Sequence, residues 1–451
     1  MADGKAACHL MEAPPLPLKW PARLFYGWKM VAVGSWMNAV TSAIYQTGFA
    51  VFFLPVSRDL GTSRAETSLV FSLSRAEGAV SGPIAGWLVD RFGPKPILFG
   101  GALLTGAGYL LLSRVENFPG FLLVYLAVIS LAYNGGFQHP VMSTVNSWFI
   151  RRRGLAFALT EASFNLGSAI GAPIVAFLVT EYGWRHTSII SALALWALVL
   201  PASVLLVATP EQVGLAPDGA TPPQSPGPGT YPVQRDFTLR EALGTASYWV
   251  LALATTLRLA VNNTLSVHMI PVFVWKGIPE PVAALALGSL AFLGVLTRVL
   301  IGFTGDKLPK NLVVAGGMVV GFLGLLELQF VEASWSVWVF VTLFAITQGV
   351  VPLNWAMIGD FFGRARFATL RGTMGLVYTW GAVIGPVAAG AVFDQTGSYA
   401  PVLWSLMILV AAGALCFGLL RPPTRRPVPL PTAPSPIDTA AAVAGREDGH
   451  G

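Results

Sequence analysis

The sequence predicts an all-α membrane protein of twelve transmembrane helices, arranged as two pseudo-symmetric bundles of six. Three observations predict this fold class. First, 54% of the 451 residues are hydrophobic and only 11% are charged, whereas charged residues make up about a quarter of a soluble domain. Second, twelve apolar segments are long enough to cross a hydrocarbon core of about 30 Å. Third, residues of the first six segments recur in the last six at a nearly constant spacing.

The twelve predicted spans are joined by short connections, except between the sixth and the seventh. They cover residues 27–53, 65–88, 96–113, 119–148, 155–179, 185–207, 247–274, 281–304, 311–330, 334–359, 369–393 and 400–420. Glycine and proline inside them suit membrane helices, because small residues permit close helix packing and neighbouring helices satisfy freed backbone groups. The predicted organisation is a cytoplasmic tail (1–24), a six-helix bundle (25–208), a proline-rich cytoplasmic linker (209–245), a second bundle (246–420) and a disordered tail (421–451).

The internal repeat matches the first half of the chain to the second half with a nearly constant offset. It relates Gly167 to Gly381, Gly171 to Gly385, Asn134 to Gln348, Gly86 to Gly302, Asp90 to Asp306 and Gln46 to Asn262. Parallel repeats of this kind are typical of secondary transporters, whose two halves move against each other around a central substrate site.

Basic residues predict the orientation. With the N-terminus inside, 20 lysines and arginines, Arg371 among them, fall on the cytoplasmic side, against Arg58, Arg64, Arg114, Arg185 and Lys276 outside. Short cytoplasmic loops carry such an excess, so both termini are predicted to be cytoplasmic in a multi-pass protein of the cell (inner) membrane. The net charge of +6 is therefore attributed to the basic residues of the cytoplasmic loops, and no nucleic-acid partner is predicted.

No enzymatic or metal chemistry is indicated. The two cysteines, Cys8 and Cys416, stand at opposite ends of the chain, so neither a disulfide framework nor a metal site is predicted. There is no nucleotide-binding loop, histidine pair or nucleophile motif. We therefore expect a protein that is not an enzyme, has no cofactor, and draws its energy from a gradient.

The loop after span 2, Gly86-Trp87-Leu88-Val89-Asp90-Arg91-Phe92-Gly93-Pro94-Lys95, resembles the signature of the major facilitator superfamily. A weaker copy, Gly302-Phe303-Thr304-Gly305-Asp306-Lys307, follows span 8. The resemblance implies the fold of twelve helices and assigns a gating role to Gly86, Asp90, Arg91 and Asp306. Asp90 would pair with basic groups and with helix termini of the neighbouring half, and the aspartates would form latches that hold one conformation until transport breaks them. Because only the first copy has a full Arg-x-Gly turn, we expect the first latch to dominate.

Within that superfamily the chain looks like the monocarboxylate transporter and oxalate:formate antiporter group. The resemblance rests on Tyr26-Gly27-Trp28, on the runs Tyr45 to Leu73 and Trp148 to Arg185, and on Arg298-x-x-x-Gly302-x-x-x-Asp306. It implies that Arg298 binds a substrate carboxylate. The chain departs from the animal carriers at Thr47 and Gly294, where they have a lysine and an acid. Proton coupling at those two places is therefore lost or moved.

Charged side chains inside the predicted spans are candidate functional groups, because each costs at least about 2.5 to 3.5 kcal/mol at mid-bilayer. They are Arg75, Glu77, Glu161, Arg258 and Arg298. Matched depths suggest the pairs Glu161 with Arg298 and Glu77 with Arg258, and either glutamate could carry the coupling proton. The alternative is that these charges only neutralise one another and fix how the halves dock. Three arginines against two glutamates favour an anionic substrate.

Polar residues of spans 1, 4, 7 and 10 form a second group of candidate substrate contacts. With Arg298 and Arg258, the predicted set is Tyr45, Gln46, Asn134, Asn262, Gln348 and Asn354. The alternative for each is an interhelical hydrogen bond worth about 0.6 kcal/mol.

Together these features predict a secondary active transporter, functional as a monomer in the bilayer. The expected substrate is a small organic anion, with a monocarboxylate as the first choice, coupled to protons or to a counter-anion. Two alternatives stay open: efflux of a larger amphiphilic compound, suggested by the glycines and Pro173 of span 5, and a membrane sensor without turnover.

Overall fold

The computed structural model describes residues 25–62, 64–219, 236–330 and 335–423. The predicted tail 1–24, residues 220–235 of the linker and residues 424–451 lie outside these ranges. Within them the chain forms twelve long helical segments, α1 to α12, at the positions of the twelve predicted spans.

The first six segments are α1 (Gly27–Thr41, Ser42–Gln46 and Thr47–Asp59), α2 (Arg64–Phe92), α3 (Pro94–Leu112), α4 (Phe118–Val124, Tyr125–Ser130, Leu131–Gly136 and Gln138–Trp148), and α5 and α6, which form Arg153–Leu205 on either side of Gly183. The last six are α7 (Ala246–Trp275), α8 (Glu280–Gly305), α9 (Lys310–Phe330), α10 (Ser336–Gly349 and Val351–Phe362), α11 (Phe367–Thr396) and α12 (Ala400–Leu419). Over the described ranges, nine helical stretches are long and apolar enough to cross a membrane, and one of them, Arg153–Leu205, contains both α5 and α6.

Three of the segments are irregular in mid-span. Segments α1 and α4 each contain a π-helical turn, at Ser42–Gln46 and Tyr125–Ser130. Segment α4 is also interrupted at Phe137 and α10 at Val350. These two interruptions are equivalent in the sequence repeat, because Val350 is one residue from the position that the repeat matches to Phe137. Such irregular turns and broken helices occur at functional sites, and in transporters they line the substrate cavity.

The two halves meet where α2 crosses α11 and where α5 crosses α8. At the first crossing a Cβ on Gly86 would lie 2.8 Å from Thr369 Cα. At the second, a Cβ on Gly302 would lie 2.9 Å from the carbonyl oxygen of Gly154. Glycine is therefore required at both crossings, because any side chain would push the helices apart. We call the end of the bundle that contains these crossings the Asp90 end.

Candidate functional site

Two latches join the halves at the Asp90 end. The carboxylate of Asp90, on α2, accepts hydrogen bonds from the backbone N–H groups of Ala368 (3.2 Å) and Thr369 (2.7 Å) at the start of α11. The carboxylate of Asp306, just after α8, accepts from Gly154 (2.7 Å) and Leu155 (3.0 Å) at the start of α5. Each aspartate thus caps a helix N-terminus of the opposite half, where unpaired N–H groups and the helix dipole favour an anion.

The latches are related by the sequence repeat. The repeat matches Asp90 to Asp306, and it matches the donors Gly154 and Leu155 to the donors Ala368 and Thr369. Both aspartates make two bonds of similar length, so the geometry gives no sign of the expected dominance of the first latch. Burial raises the pKa of the Asp306 carboxyl above its usual range, and the N–H donors oppose this shift.

Ion pairs close the same end. Arg153 of α5, which is 2% exposed, pairs with Asp360 of α10 at 2.5 Å, and Lys310 pairs with the same carboxylate at 2.9 Å. Arg364 pairs with Glu211 at 3.0 Å. The ion pair of Arg153 with Asp360 and the four hydrogen bonds of the latches all join the two halves at the Asp90 end. This end is therefore closed.

A vestibule of about 940 Å³ lies outside the closure at the Asp90 end, and its lining includes Asp90, Ser143, Arg153, Asp236 and Asp360. Arg91, the fourth predicted gating residue, is exposed. Its guanidinium lies over the rings of its own neighbours Trp87 (5.5 Å) and Phe92 (5.7 Å). It makes no ion pair in the described part of the chain.

A cluster of four charged residues lies inside the bundle beyond the latches. Glu161 of α5 interacts electrostatically with Arg371, Arg298 and Arg258, and Arg258 also interacts with Arg298. No two of these groups form an ion pair within 4.0 Å in the described ranges. Several of their buried polar atoms lack a hydrogen-bond partner there: Glu161 Oε1, Arg258 Nε and Nη2, Arg298 Nε and Arg371 Nε. We call these four residues the charge cluster.

Arg371 was not predicted as part of this site. It was counted among the basic residues of the cytoplasmic loops, yet it is 2% exposed and its guanidinium lies 4.8 Å from the Trp355 ring centroid. The signal that could have found it is its position two residues inside the predicted span 369–393. The cluster therefore holds three arginines and one glutamate.

The predicted pair of Glu77 with Arg258 is not formed. Glu77 lies close to Ser130 and interacts electrostatically with Tyr45, within the first bundle, and no ion pair joins it to Arg258 in the described ranges. Equal depth in the bilayer did not bring the two together, because α2 packs mainly against α11 and α4, whereas α7 packs mainly against α11 and α12. The predicted neighbours Glu161 and Arg298 do interact, although at longer range than an ion pair.

A cavity of about 270 Å³ lies in the first bundle, and we call it the amino-half cavity. A hydrogen-bonded chain runs along its wall: the Tyr45 hydroxyl and Ser74 Oγ are 2.6 Å apart, Ser74 Oγ and Ser130 Oγ are 2.8 Å apart, and Asn134 Nδ2 donates to Ser130 Oγ at 3.1 Å. The Tyr45 ring stacks on Tyr133 with centroids 3.6 Å apart. The π-helical turns of α1 and α4 bring these groups together.

The remaining lining of the amino-half cavity includes Gln46, Arg75, Gln138 and Phe164. Gln138 was not predicted, although it stands between Gly136 and Pro140, which mark the interruption of α4. Ser74 lies sixteen residues before Asp90 on α2, about 24 Å along the helix, so the cavity lies well beyond the closed end.

The second bundle uses its equivalent polar residues differently. Gln348 Nε2 donates to Asn262 Oδ1, and both residues line a narrow cleft beside Arg258. Asn354 is fully buried, and its Oδ1 accepts from Thr255 Oγ1 at 3.0 Å. The side chain of Asn354 thus joins α10 to α7, which matches the interhelical alternative for this residue.

Comparison with known proteins gives one family. The Major Facilitator Superfamily pattern matches residues 32–370 and 251–445. The chain is 27% identical to monocarboxylate transporter 4 of Rattus norvegicus, over 88% of this chain and 85% of the relative. It is 25% identical to monocarboxylate transporter 13 of Bos taurus, over 90% and 93%. It is also 25% identical to the uncharacterized MFS-type transporter YhjX of Escherichia coli (strain K12), over 77% and 86%.

Solved structures show the same fold. The transporter FucP in the outward conformation superposes with a TM-score of 0.67 at 14% identity, over 87% of this chain and 98% of FucP. The proton:xylose symporter XylE superposes with a TM-score of 0.66 at 14% identity, over 89% and 97%. These neighbours are transporters and not enzymes. With the predicted signature, the repeat and twelve helices in place, the chain belongs to the major facilitator superfamily.

Proposed function

We propose that the protein is a secondary transporter that carries a small organic anion across the membrane by alternating access. The observation that supports this best is the charge cluster, in which Arg258, Arg298 and Arg371 all interact electrostatically with Glu161, its one acidic residue. An unpaired charge in the membrane interior costs about 2.5 to 3.5 kcal/mol or more. An anionic substrate supplies the negative charge and the hydrogen-bond acceptors that this cluster lacks.

Arg298 is the proposed carboxylate clamp, and Arg258 is its partner. A guanidinium can hold a carboxylate through two parallel hydrogen bonds, and Arg298 is more exposed than Arg258, which is 3% exposed. A monocarboxylate is the first choice of substrate because the relatives named above are monocarboxylate transporters. Tyr45, Gln46, Asn134, Asn262 and Gln348 are the proposed further contacts.

Glu161 is the leading candidate for the coupling proton, and Glu77 is the second. At the places where the animal carriers have ionisable groups, this chain has Thr47, whose Oγ1 donates to the Ser168 carbonyl at 3.2 Å, and buried Gly294. A substrate carboxylate that engages Arg298 competes with Glu161 for the same positive charge, which frees Glu161 to bind a proton. Exchange against a counter-anion is the alternative mode of coupling.

The Asp90 end is the proposed cytoplasmic end, because the basic loops lie there. In this orientation the latches of Asp90 and Asp306 close the inner gate, Gly86 permits the close crossing, and both termini are cytoplasmic. The proposed location is the cell (inner) membrane, with a monomer as the working unit.

Uptake of labelled carboxylates into proteoliposomes, with and without an imposed pH gradient, tests this proposal. We expect uptake of at least one carboxylate, and we expect Arg298→Lys to abolish it while the protein still inserts, because lysine lacks the planar fork. Arg240→Lys, at an exposed arginine that precedes α7, is the matched control and should transport normally. Wild-type kinetics in Arg298→Lys would remove this residue from the site. Failure of every organic anion in the panel would reject the proposed function.

A further inference from the structure

Two side-chain amides of the amino-half cavity are free to bind a ligand. Gln46 lies in the π-helical turn of α1, and Gln138 is the first residue of the second part of α4. Both line the cavity, and neither makes a hydrogen bond within the described part of the chain. The neighbouring polar residues, in contrast, already have partners, since Tyr45, Ser74 and Asn134 are joined in one hydrogen-bonded chain. In this cavity the side-chain amides of Gln46 and Gln138 are therefore the ones left available to a ligand.

The chemistry of the cavity indicates what it binds. Each amide offers two N–H donors and an accepting oxygen, and a hydroxyl group, which both donates and accepts, complements them. An alkyl chain would exclude water from the amides without replacing its hydrogen bonds, which is unfavourable. The rings of Tyr133 and Phe164 give the cavity flat apolar walls that suit the C–H side of a carbon chain.

The amino-half cavity adjoins the charge cluster. Phe164 follows Glu161 by three residues on α5, and residues three apart lie on the same face of a helix. Tyr133 interacts electrostatically with Glu161, as Arg298 does. A substrate whose carboxylate is held at Arg298 can therefore extend its remaining atoms into the amino-half cavity.

We propose that the amino-half cavity is a subsite for a substrate body with several hydroxyl groups, so that the transported anion is a polyhydroxy carboxylate and not a simple alkyl acid. This inference rests on the proposed function, because it takes the carboxylate clamp as given. A volume of about 270 Å³ is at the lower limit of typical ligand pockets, about 300 to 1,000 Å³. The subsite therefore suits a short chain of hydroxyl-bearing carbons and not a large amphiphile.

Matched acids of equal charge and chain length test the proposal. Gluconate and hexanoate form one pair, and glycerate and propionate form a shorter one. The measurement is the dissociation constant from the ligand-dependent shift in Tm of the purified full-length protein in detergent. We expect the hydroxylated member of at least one pair to bind about tenfold more tightly, equivalent to about 1.4 kcal/mol. Equal binding, or tighter binding of the alkyl acid, in both pairs would overturn the inference.

Two variants locate the effect. Gln138→Leu and Gln46→Leu keep the size of the side chain and remove its polar groups, and each should lower the preference for the hydroxylated acid by about three- to tenfold. Gln395→Leu, at an exposed glutamine of α11, is the matched control and should keep the preference. If both site variants weaken the two acids equally, the glutamines have only a structural role and the subsite is rejected. If carboxylates are transported without any preference, only this inference fails, and the proposed function stands.

Discussion

Replacement of Asp90 by asparagine should open the closed end of the bundle. The carboxylate accepts two backbone hydrogen bonds across the interface, at 3.2 and 2.7 Å. Asparagine has almost the same size, but its amide nitrogen cannot accept, so one bond is lost and the other loses its charge. A hydrogen bond to a charged group contributes about 1.5 to 3 kcal/mol. A loss of about 2 kcal/mol from the closed state changes the ratio of closed to open protein by about 30-fold.

A cysteine at the buried wall of the closure reports this change. Ser143 lies where the vestibule meets the joined halves, and it is only 8% exposed because the part of α4 that carries it packs against α11. Separation of the halves would expose it. The assay uses Ser143→Cys in a protein whose Cys8 and Cys416 are replaced by serine, held in nanodiscs so that a polar thiol reagent reaches both faces. We expect Asp90→Asn to raise the labelling rate by up to about 30-fold.

Two further variants make this test decisive. Asp306→Asn should raise the labelling rate to a similar extent, because its two hydrogen bonds have similar lengths. Asp394→Asn, at an exposed aspartate near the far end of α11, should leave it unchanged. Equal labelling in the wild type and Asp90→Asn would refute the gating role of this latch. A large effect of Asp306→Asn alone would show that the two latches are not equivalent.

Three other outcomes follow from the structure. Gly86→Ala should speed the same labelling reaction even though Asp90 is intact, because the added Cβ would lie 2.8 Å from Thr369 Cα. Unchanged labelling would mean that α2 and α11 can accommodate a methyl group without opening the closed end. Arg371→Gln should weaken anion binding by about tenfold or more, since a buried cation of the cluster is lost. The measurement is the dissociation constant from ligand-dependent Tm shifts, and an unchanged value would show that Arg371 does not contribute to anion binding. Glu161→Gln should abolish uptake driven by a pH gradient while counterflow persists, with Glu77→Gln as the comparison; gradient-driven uptake in both variants would place the proton elsewhere or leave anion exchange.

The fold could be predicted because lipid imposes simple rules. Each span must be apolar over its length and must satisfy its backbone internally, so hydropathy alone located all twelve helices. The aspartates of the latches could also be identified, because the repeat preserves Asp90 of the first half as Asp306 of the second. The expected partner of Asp90, a helix terminus of the neighbouring half, is confirmed at the start of α11. The sequence did not reveal which backbone N–H groups donate, because any residue can supply them.

The composition of the charge cluster depends on packing that periodicity does not encode. Depth along a helix matched Glu77 to Arg258, but depth does not determine which helices are neighbours, and α2 and α7 each pack mainly against other helices. Arg371 follows Arg364 and Arg366 closely in sequence, so it was assigned to the loop. In the structure, however, α11 begins at Phe367 and carries Arg371 one turn into the interior.

The repeat and the site together suggest how the two halves share the work of binding. At the gate the halves remain equivalent, since each supplies one aspartate and one helix N-terminus. Around the cavity they have diverged. In the second bundle Asn262 and Gln348 bond to each other beside Arg258, while their repeat equivalents in the first bundle, Gln46 and Asn134, face the amino-half cavity. The second bundle also supplies all three cations of the charge cluster. A substrate held between them would therefore place its charge toward the second bundle and its neutral atoms toward the first, so that each half senses a different part of the same molecule.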